Sequence, residues 1–186
     1  MDWLSLDGAL WLAWGAYWYW ASRAVKANAS AEPIPQRLAH LTPIAIGFAL
    51  LFSRAPTFRP LEVRYLPTAA APLGTLIVAA GLAFMVYARV HLGMYWSGRI
   101  TLKEGHQLIR TGPYRTVRHP IYTGLLTGIL GTAVTQGQVA GILALALVTA
   151  AYAIKIRREE AALKTQFGEE YERFQREVSA LIPFVY

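Results

Sequence analysis

The sequence predicts an all-α fold that crosses a membrane about five times, and three observations predict it. Of its 186 residues, 55% are hydrophobic and only 16% charged, too apolar for an ordinary soluble domain of this size. The apolar residues gather into five runs of helical length. The basic residues fall mainly in the segments between alternate runs, as they do in polytopic membrane proteins.

The first run, Leu4 to Ala21, is uncharged apart from Asp7. It opens on Asp2 and Asp7 rather than on basic residues, and no small-residue cleavage pattern follows, so a retained first helix is expected and not a leader. Its aromatics (Trp3, Trp11, Trp14, Tyr17, Trp18, Tyr19 and Trp20) suit belts at the two membrane interfaces. Leu38 to Ser53 is the second run, with His40 near its start. Ala69 to Tyr87 is the third and clearest. Ile121 to Thr135 is the fourth, and Gly124, Gly128 and Gly131 along it suit close helix packing. Val139 to Ile154 is the fifth. A crossing needs roughly 20 mostly apolar residues, so the second, fourth and fifth runs imply tilt or snorkelling. Only Gln136, Gly137 and Gln138 separate the last two, which makes them an antiparallel hairpin.

Orientation follows from the basic residues. With the N-terminus outside, the inside segments 22–37, 89–120 and 155–186 hold 15 of the 18 Lys and Arg residues. Arg54, Arg59 and Arg64 remain outside, in a loop punctuated by Pro56, Pro60 and Pro67 that reads as interfacial. The expected topology is N-terminus out and C-terminus in. The chain then divides into residues 1–68, two helices and the interfacial loop, and residues 69–186, a core of three spans with cytosolic segments.

Composition also excludes functions. There is no cysteine, which removes disulfides, thiolate catalysis and Cys-ligated zinc. His40, His91, His106 and His119 are scattered without ligand spacing, so no metal is expected. The net charge of +7 reads as a positive-inside bias, not a nucleic-acid surface. The spans carry almost no ionisable residues, which speaks against a transport path.

The polar stretches 89–120 and 155–186 flank the hairpin, so its short turn brings both to one face of the membrane. In the first, Gly112-Pro113 signals a turn. Pro120 suits the first position of a helix, where its missing N–H costs nothing, so the fourth helix begins near His119. Free N–H groups there suit an anionic ligand group, with Arg118, His119 and Tyr122 beside them. In the second stretch the fifth helix continues past Glu159 and Glu160 to Phe167, and Gly168 stops it. Glu169 to Glu177 forms a further polar helix before the apolar Leu181-Ile182-Pro183-Phe184. On spacing alone, paired glutamates at a helix exit are more often solvated charge than ligands.

The string Gly112-Pro113-Tyr114-Arg115-x-x-Arg118-His119-Pro120-x-Tyr122-x-Gly124 is followed by Glu159-Glu160-x-x-Leu163, Phe167-Gly168-x-x-Tyr171-x-x-Phe174 and Ile182-Pro183-Phe184. With Leu92-Gly93-x-x-Trp96-Ser97 ahead of it, this ordered set resembles the isoprenylcysteine carboxyl methyltransferases and the related phosphatidylethanolamine N-methyltransferases, over roughly the last half of the chain. The resemblance implies a multi-pass membrane enzyme that uses S-adenosylmethionine at a site facing the cytosol. It implies cofactor contacts from Tyr114, Arg118, His119, Pro120, Tyr122, Glu159 and Glu160, with His106 and Leu108 as weaker candidates. The catalytic candidates are Glu160, as a base or only as a cofactor ligand, and Arg176, if it takes over from an arginine that the resembled proteins carry next to it.

Methyl transfer from a sulfonium is an in-line displacement, so positioning and desolvation supply much of the rate. A carboxylate acceptor needs a cation and no base, whereas an amine must arrive unprotonated and favours a carboxylate nearby. The acceptor implied is lipophilic, a prenylcysteine-like carboxylate or another lipid group reaching the site from the bilayer. One departure bears on it. Many of the resembled proteins read Tyr-x-x-Tyr-x-x-Arg-Val-Pro where this chain has Tyr171-x-x-Phe174-x-x-Glu177-Val178-Ser179, so Glu177 stands at the arginine position with Arg173 and Arg176 nearby. Two other readings stay open. Sterol double-bond reductases, which use NADPH, carry an Arg-His-Pro-x-Tyr-like segment, though the glutamate pair with Phe-Gly-x-x-Tyr favours the methyltransferases. A non-enzymatic transporter or assembly protein is the other.

Overall fold

A computed structural model describes residues 2–23, 33–53, 55–93, 96 and 108–185. The described residues form six α-helices and no named strand: α1 Trp3–Ala21, α2 Ile34–Phe52, α3 Ala71–Leu92, α4 Pro120–Gln136, α5 Val139–Phe167 and α6 Glu169–Glu177. Each of the five apolar runs has become a helix, and the polar helix follows them.

The ends of the helices follow from local chemistry. Asp2 caps α1, accepting from the Ser5 amide at 3.4 Å and the Ser5 hydroxyl at 2.6 Å. Helix α2 starts four residues before its apolar run because prolines are tolerated in a first turn. Helix α3 runs five residues past Tyr87 and stops at Gly93, whose φ of 59° a side chain would resist. Pro120 occupies the first turn of α4 and His119 stands just before it, so the helix starts where the sequence predicts. Gly168, with φ 52°, ends α5 in the expected place, and α6 spans the expected residues. Glu169, Glu170 and Glu172 lie in the first turn of α6 and Arg176 in its last, complementing the helix dipole.

Helices α3 and α4 pack backbone to backbone. A Cβ on Gly81 would stand 2.6 Å from the Gly128 amide nitrogen and 2.7 Å from the Gly124 carbonyl, and Gly74 meets Thr135 and Gly131 just as closely. The expected packing role of the α4 glycines is therefore observed. Helix α2 lies along α5, where Gly47 faces Val148. Helix α1 closes the core with Trp11, whose indole N–H donates to the Thr132 hydroxyl at 3.0 Å. Trp11, Leu51, Val78, Leu82, Ile129, Ala144 and Val148 form one apolar cluster drawn from all five helices.

Large apolar side chains such as Leu12, Trp20, Leu76, Ile142 and Ile154 point outward, as lipid-facing surfaces do. By length and apolarity two helical stretches suffice to cross a membrane, Thr68–Leu92 and Val139–Phe167, while Arg37–Phe52 is a shorter apolar helix. Helix α4 has 17 residues, or about 26 Å, a little short of the hydrocarbon core.

At one end of the bundle the loop before α3 is sewn over the α4–α5 turn. The Tyr65 amide donates to the Gly137 carbonyl at 2.9 Å and the Val139 amide to the Val63 carbonyl at 3.0 Å. The hairpin register sets the other end. Because α5 must return along the 17 residues of α4, its positions beyond about 155 stand level with His119. Glu159 and Glu160 fall there.

Candidate functional site

The site is built where the start of α4, the second half of α5 and the exit of α6 meet. Glu160 sits at its centre. One carboxylate oxygen, Oε1, accepts from Arg118 Nε at 2.8 Å and lies 3.1 Å from His119 Nε2. The other, Oε2, accepts from the Gln175 side-chain amide at 2.8 Å. The Arg118 and Glu160 side chains are only 10% and 15% exposed, so the pair is well removed from water. Arg118 Nη1 also donates to the main-chain carbonyls of Gln175, at 3.1 Å, and Val178.

Burial alone would raise the Glu160 carboxyl group. Hydrogen bonds and positive charge from His119 and Arg118 outweigh burial and bring it down to about 2. Tyr171 is buried beneath this group, and its hydroxyl is pushed up by desolvation and by the Glu160 charge.

Glu159 faces a different set. Its Oε2 accepts from the Tyr122 hydroxyl at 2.7 Å, and no described residue donates to its Oε1. The Tyr122 ring stacks on His119, with centroids 5.5 Å apart and planes 7° from parallel, and meets Tyr152 at 4.7 Å. The ammonium of the buried Lys155 lies 5.4 Å from the Tyr122 ring and 5.8 Å from the Tyr152 ring. Sequence reading passed over Tyr152 and Lys155. Their spacing of seven and four residues before Glu159 on one helix was the available signal.

The segment after α6 lies along the segment before α4. Val117 and Ser179 form a parallel bridge. The Arg118 and His119 amides donate to the Ser179 and Ala180 carbonyls at 2.8 and 3.0 Å, and the Thr123 hydroxyl donates to Leu181 at 2.7 Å. Sequence reading placed free N–H groups at the start of α4, open to an anion. The structure engages most of them: Pro120 has none, and the Tyr122 and Thr123 amides both donate to the His119 carbonyl at 3.0 Å.

Of the residues singled out in the sequence, Arg118, His119, Tyr122, Glu159 and Glu160 are thus brought together, with Pro120 buried between them. Tyr114 lies behind this group, buried against α3, with its hydroxyl 3.4 Å from the Ala88 carbonyl and its ring stacked on His91. Leu108 is half-buried in the segment that leads to Gly112. Arg176 is exposed on α6 and makes no hydrogen bond to the cluster. His106 lies outside the described residues. Glu177, at the departure noted above, is ion-paired with Arg110, whose guanidinium also lies 5.1 Å from the Phe174 ring centroid. Gln175 and Arg110 were not anticipated; Glu177, where many of the resembled proteins carry arginine, was the one local hint of a cation paired with it.

The family described as phospholipid methyltransferase matches residues 69–170, which include the glutamate pair and the whole segment from Gly112 to Gly124. A probable protein-S-isoprenylcysteine O-methyltransferase of Oryza sativa subsp. indica is 34% identical over 110 residues, 59% of this chain and 52% of that protein. Methanethiol S-methyltransferase 1 of Bradyrhizobium diazoefficiens is 40% identical over 72 residues, 38% of this chain and 24% of that one. The chain spans about half the length of the rice protein it matches. In structure it is similar to the eukaryotic intramembrane Ras methyltransferase, isoprenylcysteine carboxyl methyltransferase. The TM-score is 0.54 at 22% identity, over 83% of this chain and 55% of the other. That likeness establishes the all-helical membrane fold.

Proposed function

This chain belongs to the phospholipid methyltransferase family, and on that premise we propose that it is an integral membrane methyltransferase taking its methyl group from S-adenosylmethionine and passing it to a lipophilic acceptor. The observation that carries this reading is the joining of Arg118, His119 and Tyr122 to Glu159 and Glu160 across two helices.

The residues present fit the cofactor. Glu159 Oε1 takes no hydrogen bond from a described residue and suits a hydroxyl or an ammonium group. The ring faces of Tyr122 and Tyr152 already lie against an ammonium, the chemistry that also favours a sulfonium. When bound, the cofactor supplies an activated methyl group. The protein's part is to hold both partners in line and keep water out, which the buried His119, Pro120 and Tyr114 serve.

Carboxyl O-methylation is the favoured reaction. A carboxylate acceptor needs no base, and Glu160, held ionised by the Arg118 guanidinium and by hydrogen bonds from His119 and Arg118, is poorly suited to taking a proton near neutral pH. Arg176, exposed on the last turn of α6, is the cation we assign to the acceptor. A prenylcysteine-like carboxylate entering from the bilayer is the first acceptor to try, since the rice relative is named for that group.

In this reading residues 69–186 form the catalytic core, and residues 1–68 supply two helices and an interfacial loop that pack on it. The chain crosses the membrane five times with its N-terminus outside. The site faces the cytosol, on the side where 15 of 18 basic residues collect.

Calorimetric titration of the detergent-purified chain with S-adenosylhomocysteine tests the assignment, with NADPH as control. Micromolar-range binding that His119→Ala abolishes is the expected result. Binding of NADPH in place of the adenosyl compound would overturn it and favour a reductase.

A further inference from the structure

Adjacent glutamates at a cofactor site invite one shared role, yet their surroundings here are opposite. Glu160 has both oxygens engaged by protein donors: Arg118 and His119 on one, Gln175 on the other. Those donors are themselves fixed. Arg118 is bound to the Gln175 and Val178 carbonyls, and the Arg118 and His119 amides are bound to Ser179 and Ala180. Three of the roughly four acceptor positions of this carboxylate are thus taken by protein donors, and giving up the Arg118 contact to a ligand would leave that guanidinium buried without its partner. Glu159, one residue earlier and about 100° around the helix, has a single hydrogen bond among the described residues, from Tyr122, and an oxygen left over. It lies among Tyr122, Tyr152 and Lys155, on the aromatic side of the site.

We infer that the pair divides the work: Glu159 is the ligand-facing carboxylate, which takes a hydroxyl or ammonium group of the methyl donor, while Glu160 and Gln175 are positioning residues that fix Arg118 and His119. The segment 175–181 is then part of the site, although the family match ends at residue 170. This inference rests on the methyltransferase reading and deepens it. Tyr122 holds Glu159 Oε2, which turns Oε1 towards the ligand, and the stack of Tyr122 on His119 couples the two halves.

The test uses the detergent-purified full chain, S-adenosylhomocysteine titrations and thermal unfolding of the ligand-free protein. Glu159→Gln is expected to weaken binding at least about tenfold, with an unfolding temperature close to wild type. Glu160→Gln is expected to lower the unfolding temperature by about 5 °C, because it leaves Arg118 buried beside a neutral partner. Should Glu160→Gln not fold, the milder Gln175→Leu carries the same arm. It weakens binding, and Gln175→Lys, which keeps a donor for Glu160, restores it; a merely structural contact would not follow the donor in this way. If wild type binds but Glu159→Gln binds equally well, the division is overturned and the methyltransferase reading stands. The same holds if both glutamine variants lose stability alike, or if Gln175→Lys fails to restore binding. If wild type does not bind the adenosyl compound, both fall.

Discussion

Arg110 and Glu177 form an ion pair that joins the segment leading into Gly112 to the last residue of α6, with the Arg110 guanidinium resting beside the Phe174 ring. Glu177 stands where many of the resembled proteins carry arginine. The cation beside it comes from a segment 67 residues away. The pair fastens the end of α6 to the segment that leads on to Arg118.

The two side chains are 36% and 57% exposed, so the pair contributes at most about 1 kcal/mol. Glu177→Ala is expected to cost a few tenths of that range, and Arg110→Ala more, because it also removes the contact with Phe174. Thermal unfolding of the single variants and of the exchanged pair Arg110→Glu with Glu177→Arg checks this. The exchange should recover part of the loss, more at low salt, and purely additive effects would show that the pair carries no coupling.

The Glu160 carboxyl group, held at about 2, makes stability pH-dependent in a known direction. Its folded-state pKa lies below the unfolded value of about 4.3, so its contribution is complete above that value and is lost as pH falls towards 2. Unfolding temperatures measured between pH 7 and pH 3 should fall more steeply below about pH 4.5 in wild type than in Glu160→Gln. Equal slopes would mean that Arg118 and His119 do not hold the charge.

The α3–α4 contact predicts a sharp contrast between glycines. Gly81→Ala places a methyl group against backbone atoms of Gly124 and Gly128 that cannot move aside, and a loss of about 1–3 kcal/mol is expected. Gly15→Ala in α1 meets nothing within 4 Å and is expected to be neutral or to stabilise by up to about 1 kcal/mol, since alanine favours helix. Unfolding of the two variants side by side decides it; a tolerated Gly81→Ala would mean that the helices are not in contact there.

Much of the architecture could be read from the chain because it rests on local rules. Runs of apolar residues marked all five long helices, and Pro120 and Gly168 fixed two ends that bear on the site. The boundaries missed were at Ile34, where prolines sit in a first turn, and at Leu92, where Arg89 and His91 looked like an exit from the membrane while still helical. Arg89 stays buried there, donating to the Ala21 and Gly93 carbonyls at 3.0 and 2.8 Å.

By itself, then, the sequence determined that the chain is a helical membrane protein, and the length of the α4–α5 hairpin brought Glu159 and Glu160 level with His119. Both follow from periodicity and rise per residue, which neighbours along the chain settle. Only the tertiary structure decided which glutamate is more enclosed, that Gln175 reaches Glu160 and Arg110 reaches Glu177, and that Ser179 and Ala180 occupy the amides before α4. Those choices are hydrogen bonds between segments some 15 to 67 residues apart. Nothing in the local pattern encodes them, because a buried donor takes whichever acceptor the packing sets beside it.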